Sequence, residues 1–174
     1  LQRLSGIATL TRRYVEAVRQ TRVKILDTRK TTPGLRLLER YAVRIGGGVN
    51  HRFDLAEAAM VKDNHWRVAG SLKQALHRLR RSAGRKKIIV EAENLQELQE
   101  ALEAKAEWVL LDNMNLKELR AAVNLVRGRC RLEASGGVTL QNVRAIARCG
   151  VDFISVGALT HSAAAVDLSL ELIG

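Results

Sequence analysis

Aromatic residues make up only 3% of this 174-residue chain, which also has a single proline and two cysteines. The scarcity of aromatics weighs against a surface for single-stranded nucleic acid, because such surfaces stack bases on aromatic platforms. The basic run from Arg78 to Lys87 contains no Phe or Tyr and reads as a solvated helix face with its trailing loop. Cys130 and Cys149 form no CxxC pair and lie in or beside apolar segments, so buried reduced thiols are expected rather than a disulfide or a zinc centre. No apolar stretch approaches the ~20 residues of a membrane span. With no signal peptide before Leu1, a cytoplasmic location is the default expectation.

With 47% hydrophobic and 27% charged residues, the chain is an ordinary globular sequence, long enough for one core. Its formal charge of +11 calls for an anionic partner or for acidic residues elsewhere. Six apolar runs organise it: Val23 to Leu26, Ala58 to Val61, Ile88 to Val90, Trp108 to Leu111, Arg131 to Ala134 and Phe153 to Val156. Each ends in polar residues or glycine, and the endings together resemble one anion-binding site.

Helical patterns separate the runs. Ala8 to Gln20 predicts a first helix, and a second follows Pro33, which suits a first helical turn, and stops at Gly46-Gly47-Gly48. Leu72, Ala75, Leu76 and Leu79 share a face behind a capping Ser71, and Leu116, Leu119, Val123 and Val126 repeat the pattern, as do Leu140, Val143, Ile146 and Ala147. From Ile88 onward strand and helix alternate with a period of about twenty residues, the signature of parallel strands joined by crossover helices. An open doubly wound sheet gathers ligand groups at one switch point, whereas here every run ends in chemistry. A TIM-like α/β barrel is therefore expected, with about six strands visible.

The endings divide by chemistry. Thr28, Arg29 and Lys30 follow the first run; a guanidinium grips a carboxylate bidentately, and an ammonium serves phosphate as a point charge. Gly46-Gly47-Gly48-Val49-Asn50-His51-Arg52 allows close backbone approach to a ligand and adds a second carboxylate-binding Arg. The glycines alone could equally be a helix stop. Lys62 stands at the end of the second run, where its charge can be tuned. Glu91 and Asp112 are carboxylates at neighbouring strand ends; they could hold magnesium, bind ribose hydroxyls, favour a developing cation, or form a structural ion pair. Ser135-Gly136-Gly137 leads toward a helix N-terminus, and Val156-Gly157-Ala158 with His161 supplies a second glycine turn, both suited to phosphate. His51, His65 and His161 show neither a triad order nor metal-ligand spacing.

These strings, Asp-Thr-Arg-Lys-Thr-Thr-Pro-Gly from Asp27, Gly-Gly-Gly-Val-Asn-His-Arg, Lys-Asp-Asn-His, Glu-Ala-Glu-Asn, Leu-Asp-Asn-Met, Glu-Ala-Ser-Gly-Gly-Val and Ser-Val-Gly-Ala-Leu-Thr-His-Ser, closely resemble the quinolinate phosphoribosyltransferase family. The resemblance runs in the family's order from Leu1 to the C-terminus. It implies the type II phosphoribosyltransferase barrel and a reaction in which quinolinate and phosphoribosyl pyrophosphate give nicotinate mononucleotide, pyrophosphate and carbon dioxide, on the route to NAD. It further implies Mg2+ as cofactor, held directly or through water by Glu91 and Asp112, and catalysis by Lys30, Lys62, Glu91 and Asp112.

Carried over by position, Arg29, His51, Arg52 and Lys62 would bind the dicarboxylate, with Lys30 and Lys62 near the donor's pyrophosphate and Thr28 beside them. Glu91 and Asp112 would face the ribose. Ser135, Gly136, Gly137, Val156, Gly157 and Ala158, with His161 close by, would hold the 5-phosphate. The family carries an N-terminal domain before the barrel, so residues 1–174 are expected to be the C-terminal catalytic domain of a homodimer or an assembly of dimers. No nucleic acid or membrane partner is expected. The alternatives are a molybdenum-transport-associated branch of the family acting on another base, and an inactive barrel fragment.

Overall fold

The computed structural model describes residues 1–54, 57–61, 71–83 and 87–172. The elements alternate as α1 (Gln2–Val18), β1 (Lys24–Leu26), α2 (Arg36–Ile45), β2 (Ala58–Val61), α3 (Leu72–Ala83), β3 (Lys87–Ala92), α4 (Leu95–Glu103), β4 (Trp108–Asp112), α5 (Leu116–Val126), β5 (Arg131–Ser135), α6 (Val143–Ala147), β6 (Phe153–Ser155) and α7 (Ala158–His161). All pairings are parallel, in the order β1-β6-β5-β4-β3-β2. The first strand therefore pairs with the last. A doubly wound sheet reverses its order in the middle; this one runs consecutively and returns to its start, as a barrel does.

Among the described residues the seam of that barrel lies between β1 and β2. Val49 partly fills it through a parallel bridge to Leu26, with the Val49 N–H donating to the Ile25 carbonyl (2.9 Å) and the Asp27 N–H to the Val49 carbonyl (3.2 Å). Arg52 spans the remainder, its Nη1 donating to the Ala58 carbonyl of β2 at 2.7 Å.

Register separates two layers, because successive side chains of a strand point to opposite faces. Val90, Val109, Leu111, Leu132, Ala134 and Ile154 face outward and join the helices in one apolar core. The opposite faces, where Leu110 pairs with Glu133 and Asp112 with Ser135, line the interior. That layer holds Trp108 stacked on Phe153, with ring centroids 4.6 Å apart. Parallel strands covered by helices read as apolar runs, which is why the six runs were visible in the sequence.

Helix ends follow local chemistry. Ser71 caps α3, its Oγ accepting from the Gln74 N–H at 3.2 Å, and Asn115 and Glu118 form a capping box on α5. The exposed Arg78 and His77 lie opposite the buried Leu72, Ala75 and Leu76, as a solvated helix face requires.

Four sequence expectations change. α1 begins at Gln2 rather than Ala8, since Gly6 sits within the helix and lets the Ala164 carbonyl pack directly against it. Pro33 lies in a turn ahead of α2, not in its first helical turn. Gly46 and Gly48 face α1 rather than the ligand side: a Cβ at Gly46 would stand 2.5 Å from the Ala8 carbonyl oxygen, and one at Gly48 2.8 Å from the Thr11 side chain. They form a helix stop and a packing joint. Finally, α6 begins at Val143, five residues beyond Val138, because Thr139 and Asn142 cap each other and Asn142 Nδ2 donates to the Gly137 carbonyl at 2.9 Å. Both cysteines are buried, and desolvation, with Asp152 adding to it, pushes the Cys130 thiol up to about 11.

Candidate active site

The carboxyl ends of the strands open into a cavity of about 600 Å³. Thr28, Arg29, Lys30, His51, Arg52, Glu91, Asp112, Ser135, Gly136, Gly137, Gly157, Ala158 and His161 all line it. Lys62 and His65 lie outside the described residues. Val156 is placed differently: its side chain belongs to the outer apolar core and its N–H donates to the Leu26 carbonyl at 3.0 Å, so it supports Gly157 from behind.

One wall is cationic. Arg52 is 9% exposed, its Nη1 held by Ala58 and its Nη2 lying 3.5 Å from Met60 Sδ, while no described group accepts from its buried Nε. Burial, and then the charge of Arg29, hold the Arg52 guanidinium below the usual arginine range, against the pull of Glu133 and Glu91. Two guanidinium groups side by side make this wall cationic, the charge that a carboxylate would complement.

Asp27, fully buried, holds the loop behind that wall. Its carboxylate accepts from the His51 N–H and from Asn50 Nδ2, each at 2.6 Å, with Arg40 Nη1 at 3.6 Å. Burial pushes its carboxyl above the usual aspartate range despite these donors.

His51 has both ring nitrogens engaged. The Arg52 N–H donates to Nδ1 at 2.8 Å, so in the neutral ring the proton resides on Nε2, which points at Glu133 Oε2, 3.2 Å away. Glu133 is fully buried and also accepts from Trp108 Nε1 (2.9 Å) and from the Ser155 hydroxyl. Three elements thus meet on one interior carboxylate. Sequence reading quoted Glu133 without giving it a place in the site. The signal was available: a Glu between Leu132 and Ala134 in mid-strand, two residues before Ser135 and therefore on the same face.

At the ends of β3 and β4, Glu91, Glu93 and Asp112 bring carboxylate oxygens within 4.8 Å of one another. Glu93 joins the pair expected from sequence, its position on the strand-to-helix turn returning it toward Glu91. Such an all-oxygen cluster fits a hard divalent cation.

Two glycine turns close the rim. Gly136 (φ 92°) and Gly137 (φ 57°) occupy the left-handed region, and a side chain on Gly136 would collide with Asn113 Oδ1. At Gly157 a Cβ would stand 3.0 Å from His161 Nε2 and 3.6 Å from Lys30 Cδ, so the imidazole and the lysine stem converge on that turn. Asn113, which also lines the cavity, donates to Asp112 Oδ2 at 3.0 Å and steadies that carboxylate.

Residues 7–171 match the model of the quinolinate phosphoribosyl transferase C-terminal domain. The chain belongs to the quinolinate phosphoribosyltransferase family. It is 49% identical over 174 residues to a probable nicotinate-nucleotide pyrophosphorylase (carboxylating) of Synechocystis, covering 98% of this chain and 59% of that protein. The Bacillus subtilis counterpart is 46% identical, with 99% and 60% covered. The solved nicotinate-nucleotide pyrophosphorylase of Francisella tularensis superposes with a TM-score of 0.94 at 47% identity, over 97% of this chain and 60% of that one. The chain thus spans about three fifths of the length of these relatives.

The Glu133 hub yields a stability test. Glu133→Gln can keep both acceptor bonds on one oxygen and donate to Ser155, whereas Glu133→Leu orphans three donors. At ~1–3 kcal/mol per unsatisfied buried group, the Leu variant is expected to lose about 3 kcal/mol or more and the Gln variant about 1 kcal/mol. Urea unfolding measures both; equal losses would contradict the hub.

Proposed function

We propose that this domain transfers the phosphoribosyl group of phosphoribosyl pyrophosphate to quinolinate with decarboxylation, forming nicotinate mononucleotide, pyrophosphate and carbon dioxide. The observation that carries this reading is that the Arg29 and Arg52 guanidinium groups line one cavity together with the Glu91 and Asp112 carboxylates. A dicarboxylate needs the first pair, and a sugar acquiring positive charge needs the second.

In this reading Arg29 and Arg52, with Lys62, hold the two carboxylates, and His51 forms the floor with its ring fixed by Glu133. The glycine turns at Gly136-Gly137 and Gly157-Ala158 receive the 5-phosphate through backbone amides that approach without side-chain hindrance, with Ser135 and His161 flanking it and Thr28 and Lys30 toward the pyrophosphate. Glu91, Glu93 and Asp112 would hold magnesium, which neutralises pyrophosphate charge when bound.

The quinolinate ring nitrogen attacks the anomeric carbon as the bond to pyrophosphate breaks, and the electron pair of that bond leaves with the pyrophosphate. Positive charge on the sugar in the transition state is met by Glu91 and Asp112, fixed in place before the reaction. With the nitrogen quaternised, the carboxylate on the adjacent carbon departs as carbon dioxide. The electron pair it leaves is held beside a cationic nitrogen until that carbon takes a proton. The residues mainly position reactants and balance charge.

We further propose a homodimer and a cytoplasmic setting. α2 presents Leu37, Leu38, Tyr41 and Ile45, from 50% to 71% exposed, and an apolar patch of this kind supports a protein partner. Among the described residues no helix is long and apolar enough to cross a membrane.

Two outcomes are expected. With the family's N-terminal domain in place, Glu91→Ala or Lys62→Ala lowers the rate of nicotinate mononucleotide formation by about 10²–10³-fold, a typical loss for an electrostatic stabiliser. Near-normal turnover in both variants, or no quinolinate-dependent product from the parent, would sink the assignment. Sedimentation of the same protein is expected to give a dimer that Leu37→Glu weakens; a monomer at micromolar concentration would refute the dimer.

A further inference from the structure

The loop carrying Arg29 and Lys30 is fastened from the side away from the cavity. Thr160, fully buried on α7, places its Oγ1 2.6 Å from the Lys30 carbonyl and 3.2 Å from the Gly157 carbonyl. A hydroxyl has one proton to donate, and the shorter contact assigns it to Lys30. The Thr160 carbonyl in turn accepts from Arg3 Nη2 at 2.8 Å, and the same nitrogen donates to Thr32 Oγ1 at 2.6 Å. Arg3 Nε reaches Oε1 of the fully buried Glu39 at 2.8 Å, whose Oε2 accepts from the Thr32 N–H at 3.0 Å.

The result is a closed ring. It joins α1, α2, the loop after β1 and the turn after β6, and none of Arg3, Thr32, Glu39 or Thr160 lines the cavity. It fixes the first strand's ending against the last strand's ending, and thereby lays the Lys30 stem along Gly157.

We propose that Thr160 is a positioning residue that presents Lys30 to the phosphoribosyl donor. This deepens the function proposed above and rests on it. A surface loop bearing a flexible lysine would otherwise order itself only when ligand binds, at a cost of about 1–2 kcal/mol per residue fixed. The hydroxyl of Thr160 and the Arg3–Glu39 pair carry that ordering in advance.

The test is a double-mutant cycle on phosphoribosyl pyrophosphate binding, measured calorimetrically with magnesium present. Thr160→Val keeps the shape and loses the hydroxyl. It is expected to weaken binding about five- to tenfold, the loss of one hydrogen bond of roughly 1–1.4 kcal/mol. In a Lys30→Met background the same change is expected to have less than about a twofold effect, because Thr160 acts through Lys30. Thr160→Ser, which restores the hydroxyl, is expected to bind as the parent does. An equal loss from Thr160→Val in both backgrounds would make Thr160 a general stabiliser and overturn the proposal, as would parent-like binding by Thr160→Val. If Thr160→Val melts early, Thr160→Ala removes the hydroxyl without added branching and enters the same cycle. A parent protein that does not bind the donor refutes the functional reading itself, a result distinct from either of these.

Discussion

Glu133 is a carboxylate in a barrel interior where water is excluded, and much of the site is arranged around satisfying it. An isolated buried charge is untenable, so the interior supplies three donors: the indole of Trp108, the hydroxyl of Ser155 and the imidazole of His51. Satisfying the carboxylate orients the histidine. The histidine, with Nε2 committed to Glu133, can only accept at Nδ1, and the backbone N–H of Arg52 supplies that bond. The chain direction at Arg52 is thereby set, and its guanidinium crosses the barrel seam to Ala58. One buried charge propagates through two hydrogen bonds to the cation that faces the ligand.

The same economy governs the rim. Asp27 ties the first strand's ending to Asn50 and His51, and the Thr160 hydroxyl ties it to the last turn. Closure of the sheet makes these ties possible, since β1 pairs with β6 and brings sequence-distant endings side by side. The site divides accordingly: a cationic wall from the loops after β1 and around Arg52, carboxylates from β3 and β4, and backbone turns from β5 and β6. The order of strands around the barrel is thus also the order of chemical groups around the cavity.

The sequence made the strands legible because a strand covered on both faces leaves an apolar run, and it made the site legible because each run ends in groups of no use to packing. Thirteen cavity residues from Thr28 to His161 were visible, most of them for that reason and His51 and Arg52 because they follow the glycine run. What escaped was partnership across long separations. Glu133 and His51 are 82 residues apart, and Thr160 and Lys30 130; no local period encodes either contact. Helix limits escaped for a different reason. Gly6 looks like a breaker, yet it sits inside α1 as a joint where the Ala164 backbone packs too closely for a side chain. Val156 looked like part of a phosphate turn because it adjoins Gly157, but strand alternation turns it outward into the core.

The central claim is that the Arg29 and Arg52 guanidinium groups on the cavity's cationic wall receive a carboxylate ligand. A crystal structure of the protein with quinolinate tests it most directly. A quinolinate carboxylate oxygen is expected within about 3.2 Å of a guanidinium nitrogen of Arg29 or Arg52, with the His51–Glu133 contact unchanged. Quinolinate bound away from both guanidinium groups would contradict it.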